Sequence, residues 1–205
     1  DLTYYLSNIR LGDVERRQNR FVETEKYFSA GISRYSRSFK TENFKERLLW
    51  LVSYYEKSGE KSQYAGNYKE AAGTYDKLIN LLTLMYNKKL FQEMYSEFAP
   101  KAHIRYIDAY TAWKGEASIS DLEKSYGKRE NLLVLRGDFN RAALYGLAYI
   151  YTKKGIYLNS TENGRGENAP GVEVYESFKK ADEQLDWALF LDDTFIEPYI
   201  LKSWI

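Results

Sequence analysis

The sequence predicts an all-α fold assembled from helix pairs. Three observations point there: helix breakers are scarce, apolar residues recur three and four apart, and one apolar pattern returns with every spacing kept. Glycine (13) and proline (3) are few for 205 residues, about 8% together against a usual ~12%, so long regular elements are expected. An apolar share of 44%, of which much is aromatic at 17%, is ample for a core.

Taken in order, the spacing predicts helices over 2–16, 19–36, 43–58, 67–87, 89–98, 100–114, 119–134, 139–155, 173–191 and from 196 onward. The third carries Leu48-x2-Leu51-Val52-x2-Tyr55-x3-Gly59, and the eighth repeats it as Leu144-x2-Leu147-Ala148-x2-Tyr151-x3-Gly155. Positions three and four apart share one helix face, so each is an amphipathic stripe. The closing glycine is expected to adopt the left-handed cap conformation and end its helix. Second helices have their own signature: Gly66-Asn67-Tyr68-x2-Ala71-x3-Tyr75-x2-Leu78, and near the amino end Asn19-Arg20-Phe21-x2-Thr24-x3-Phe28-x2-Gly31. Small residues at Thr24, Gly31 and Ala71 let two helices approach, and the ring one turn on fills the gap. Pro100 is expected to start a helix, with His103 in its first turn. The last pair ends Ala181-x3-Leu185-x2-Ala188-Leu189-x-Leu191-Asp192-Asp193; the aspartates supply a turn, and Pro198 suits the first turn of the next helix, where its missing N–H costs nothing. Between Asn159 and Gly171 turn formers replace periodicity, so a loop insertion is placed at 156–173.

One helix pair cannot cover its own apolar stripe. Neighbours therefore stack, share a core and leave a groove along the first helices. These residues resemble the tetratricopeptide repeat family: Leu11-Gly12 matches its first helix, while Gly66 with Tyr68 and Gly155 with Tyr157 match the entry to its second. The likeness covers most of 5–59, 66–82 and 141–205; the stretch 88–137 matches poorly, and residues 60–65 are extra. The resemblance implies a helix-pair repeat solenoid, a right-handed superhelix forming a single domain over 1–205. It implies a scaffold that binds a partner peptide or helix on its concave face. The chain begins at Asp1 and stops at Ser203-Trp204-Ile205 within what reads as a new helix. It is accordingly expected to be a piece of a longer protein or assembly, whose next repeat covers Tyr199 and Trp204.

On the concave wall, first-helix positions pointing away from the partner helix are Ala142, Tyr145, Tyr149, Thr152 and Lys153, and, earlier, Glu46, Leu49, Ser53, Glu56 and Lys57. Of these, Tyr145, Tyr149, Thr152, Lys153, Leu49, Ser53 and Glu56 are the candidate partner-binding residues. For Tyr145 and Tyr149 a second reading stays open, that the rings simply pack on a neighbouring helix. Some family members hold a terminal carboxylate between lysines, an arginine and asparagines on these helices; Leu49, Ser53, Tyr145 and Tyr149 do not make such a clamp. Arg16-Arg17 with Arg20 reads either as a grip for an acidic partner or as a solvated turn beside Glu15, Glu23 and Glu25. Lys88-Lys89 and Lys153-Lys154 read as last-turn cations complementing helix dipoles. Tyr106, Tyr110 and Trp113, four and three apart, read as core in preference to a sugar platform.

Composition removes most catalytic chemistry. No cysteine and a single histidine exclude a thiolate nucleophile, a disulfide, a cysteine zinc finger and a multi-histidine metal site. No cofactor, metal or enzyme activity is expected. Asp192, Asp193 and Glu197 are close in sequence but sit in a turn, not across a cleft as paired-carboxylate catalysis needs. Thirty basic residues against twenty-nine acidic ones provide no overall field for nucleic acid, and no apolar run approaches the ~20 residues that cross a bilayer. The competing reading is a carbohydrate- or peptidoglycan-associated binding protein of the bacterial envelope, motivated by twenty tyrosines and the missing cysteine. The compartment stays open between bacterial periplasm or envelope and cytoplasm.

Overall fold

The computed structural model describes residues 2–35, 44–126, 141–163 and 171–205, and among these every regular element is helical. The all-α expectation holds. In chain order the elements are α1 (Leu2–Arg17), α2 (Phe21–Ser33), α3 (Phe44–Tyr64), α4 (Tyr68–Asn87), α5 (Gln92–Lys114), a 3-10 turn (Glu116–Ser118), α6 (119–126), α7 (Arg141–Asn163), α8 (Val172–Leu191) and α9 (Ile196–Lys202). Contacts gather them into two compact units, Asp1–Ala102 and His103–Ile205.

In the first unit α1 packs on α2 and α3 on α4, with α4 also touching α2. Phe28, Ile32, Leu48, Leu51, Tyr75, Leu78, Leu82 and Met85 are fully buried between them. Burial of each large apolar side chain contributes roughly 1.5–3 kcal/mol. The apolar spacing read from the sequence is therefore the spacing of this core. Polar ties run between hairpins: Arg47 of α3 to Asp13 of α1 at 2.5 Å, and Lys77 of α4 to Glu25 of α2 at 3.3 Å.

The glycines close the helices onto each other instead of ending them. α3 continues past Gly59 to Tyr64, and α7 past Gly155 to Asn163, both against expectation. A methyl group on Gly59 would lie 2.6 Å from the Tyr75 ring, and one on Gly155 would lie 2.8 Å from the Phe178 ring. Gly12 stands under Phe28 in the same way. In all three hairpins a bare backbone on the first helix seats a ring from the second. One turn before the ring, Thr24 and Ala71 are completely buried, as helix approach requires.

Other residues do the capping. Asn19 ends α1 at φ 57° and Gly66 ends α3 at φ 75°, the left-handed geometry that asparagine and glycine tolerate. Lys89 closes α4 at φ 54°, with its N–H on the Tyr86 carbonyl at 2.8 Å and that of Leu90 on Met85 at 2.9 Å.

Pro100 does not start a helix; it lies inside α5. Its missing N–H removes one bond to the carbonyl four residues back, but the residue is buried beside Ala99 and Ala102, and tertiary packing carries the helix through. The loop expected at 156–173 is likewise corrected. Residues 156–163 belong to α7 and 172–173 to α8, because the helical register continues well beyond Gly155; residues 164–170 lie outside the described residues, as does the expected helical stretch 127–134.

In the second unit α7 packs along α8, and α9 touches both. Ile107, Ile119, Leu122, Tyr126, Leu147 and Ile150 form one buried cluster, rimmed by Tyr106, Tyr110, Tyr149, Tyr151 and Tyr157. His103 is buried in the same region, its Nδ1 2.7 Å from the Tyr126 hydroxyl, with Gly146 of α7 against the Tyr126 ring and the His103 Cβ. No helix among the described residues is long and apolar enough to cross a membrane.

Candidate functional site

The candidate residues fall on α3 in the first unit and α7 in the second. On α3, Leu49 is exposed, Ser53 half-buried and Glu56 half-buried. Glu56 faces Lys101 of α5 at 3.6 Å. Glu46 and Lys57 are exposed on the same helix. Positions 46, 49, 53, 56 and 57 fall within one sector of a 3.6-residue helix, opposite the stripe of Leu48, Leu51, Val52 and Tyr55 that meets the core.

The α7 residues are more deeply engaged. Ala142 is buried, and Thr152 is buried with its hydroxyl donating to the Ala148 carbonyl at 3.0 Å. Thr152 thus faces the core. Tyr145 is half-buried and meets Phe195 edge-to-face, with ring centroids 5.5 Å apart. Burial, reinforced by the negative charge of Glu197, pushes its hydroxyl up to about 12. Tyr149 donates a hydrogen bond to Asp108 Oδ1 at 3.0 Å, and the Lys153 ammonium reaches the same oxygen at 3.0 Å. Lys153 also lies 5.5 Å from the centre of the Tyr149 ring, within cation–π range. Burial and the adjacent Asp108 charge hold Tyr149 well above the ordinary tyrosine range. Both rings therefore pack on neighbouring helices and keep part of their surface in water.

Asp108, the residue that organises this group, carries no signal in the sequence. It stands on α5, forty-one residues from Tyr149, outside any repeated motif. The same holds for Phe195 under Tyr145. Lys153 and Lys154 are not last-turn cations, because α7 runs on to Asn163. They pair sideways instead, Lys153 with Asp108 and Lys154 with Glu123 at 2.8 Å.

Two of the three arginines at the α1–α2 turn make local pairs, and Arg17 is exposed. Arg20 meets Glu15 at 3.3 Å, and Arg16 meets Asp13 at 3.7 Å while lying 5.5 Å from the centre of the Trp50 ring. Under it, Phe21, Trp50 and Tyr54 stack nearly parallel, with Phe21 and Tyr54 4.3 Å apart. These ring faces are turned on one another. Tyr106, Tyr110 and Trp113 are inclined to each other by 39° and 85° and do not share a plane. Asp192 holds the turn expected of it: its Oδ1 accepts from the Thr194 backbone at 3.0 Å, and Arg141 pairs with its other oxygen. Among the described residues no group of three or more carboxylates or imidazoles could hold a metal ion.

No family model matches the chain, no curated protein matches it and no solved structure matches it.

Proposed function

We propose that the chain is built from helix-pair repeats of the tetratricopeptide type and acts as a protein–protein interaction scaffold, binding a partner peptide or helix on the outward faces of α3 and α7. The observation that carries this reading is the recurring seat. Phe28 follows Gly12 by sixteen residues and Tyr75 follows Gly59 by sixteen, each ring packed on its glycine and preceded one turn earlier by a buried small residue. Such pairing turns the ring-bearing side of each second helix inward, while on the first helices Leu49 stays exposed and Tyr145, Tyr149 and Lys153 keep part of their surface in water. Leu49, Ser53 and Glu56 on one face, and Tyr145, Tyr149 and Lys153 on the other, provide apolar contact edged by charge, the composition of a docking surface. The partner is held by burial of leucine and tyrosine surface; no bond is made or broken.

Site-specific photo-crosslinking tests this. A benzophenone amino acid at position 49 or 149 should capture a discrete partner that the same group at Tyr64 or Gly73, exposed positions elsewhere, does not. Equal yields from all four positions would remove these faces from consideration.

A further inference from the structure

We infer that the outer surface of α8 and α9 is a second docking surface, separate from the faces proposed above, and that it takes a basic amphipathic helix. Large apolar side chains stand exposed there more densely than elsewhere among the described residues: Trp187, Phe190, Ile196, Tyr199, Ile200 and Trp204, with Phe190 80% and Trp204 81% exposed. Ile196, Tyr199 and Ile200 are spaced i, i+3, i+4 and so form one stripe on α9, turned away from the buried Pro198. On α8, Trp187 and Phe190 pack edge-to-face at 5.9 Å. Surface of this kind is characteristic of an interaction site.

Charge decides the occupant. Residues 171–205 carry eight acidic side chains against three basic ones, although the whole chain is +1. Lys202 is already held by Asp182 at 2.9 Å and Asp186 at 2.6 Å, and Lys180 lies over the Tyr151 ring, which leaves Lys179 as the one exposed cation of this segment outside those contacts. Glu176, Glu183 and Asp193 are exposed and make no ion pair among the described residues. An apolar stripe on a segment where exposed, unpaired carboxylates outnumber exposed lysines complements a helix with leucine-type residues on one side and lysine or arginine along its borders. A second copy of this face would bring like charges together, and an anionic lipid surface would be repelled.

Calorimetric titration of the full chain with an 18-residue leucine/lysine amphipathic peptide, and with its leucine/glutamate counterpart, tests the assignment. The basic peptide should bind in the micromolar range, weaken with added salt, and lose at least tenfold in affinity with Phe190→Glu or Ile200→Glu. Both side chains are exposed, so circular dichroism should show the fold unchanged. Glu176→Lys with Glu183→Lys should weaken binding at low salt, while Leu49→Lys on α3 should leave it unaltered. Equal binding of the acidic peptide, no binding of the basic one, or indifference to Phe190→Glu would overturn the inference. So would a sedimenting dimer that Phe190→Glu dissolves, because it assigns the face to a second copy.

Discussion

The hairpins α3–α4 and α7–α8 make the same contact by different routes. In the first, Tyr75 follows Gly59 by sixteen residues and is wholly buried; in the second, Phe178 follows Gly155 by twenty-three and is half-buried. Seven added residues alter the connection and the depth of the ring, but the ring still meets the glycine. Close approach of two helix backbones is thus what the pair preserves. Connection length is free to vary because lengthening a closed loop costs little, about 0.6 kcal/mol per doubling.

The largest effects should come from removing the rings. Tyr75→Ala should cost ~3–5 kcal/mol by urea denaturation, as for other deeply buried aromatics, and Phe178→Ala distinctly less. Equal losses would mean that depth of burial does not separate the two seats. Filling the seats comes next. Gly59→Ala should destabilise by ~1–3 kcal/mol through overpacking, even though alanine is the better helix former, and Gly155→Ala should cost less because Phe178 is half-buried where Tyr75 is fully enclosed. Gly73, also within a helix, has nothing within 4 Å of an added methyl group. Gly73→Ala should therefore raise stability by ~0.5–1 kcal/mol, and a loss there would show that the packing argument is misassigned.

A smaller effect separates the units by pH. Tyr145 has its hydroxyl raised from 10 to about 12 in the folded chain, so the unfolded chain ionises first. Its stabilising contribution is complete below pH 10 and is lost as pH rises toward 12. Tyr145→Phe should lessen that alkaline decline in the melting curve of the second unit, leaving the part contributed by Tyr149, which is also raised by burial and Asp108. The decline driven by Tyr5 in the first, also raised to about 12 by burial, should persist. The α4 cap gives an effect of similar size to Gly73: Lys89→Gly should stabilise by roughly 1 kcal/mol, since a side chain at φ 54° carries a left-handed penalty that glycine lacks.

How much of this was legible in the sequence follows from the range of each signal. Core stripes on α3, α4 and α7 are local, repeating every three and four residues, and they are where the spacing puts them. The glycines were visible but ambiguous, because x3-Gly reads alike whether it caps a helix or seats a ring. What decides is a side chain sixteen or twenty-three residues away. Pro100 misleads for a related reason: the local preference is for a helix start, and burial between Ala99 and Ala102 overrides it. At the candidate site, Tyr145, Tyr149 and Lys153 are legible from register, whereas Asp108 and Phe195 are not. Their positions are set by how α5 and α9 meet α7, and no periodicity encodes that. Thr152 lies on the border of the helical face, where an error of one residue in register exchanges water for core.

The lone imidazole has a practical consequence. With His103 the only histidine and Tyr126 its neighbour at 2.7 Å, the proton spectrum contains a single pair of histidine ring signals, all from one place in the second unit. Following those two lines through a denaturant series, against the global amide envelope, reports directly whether the two units melt together or one after the other, without any label.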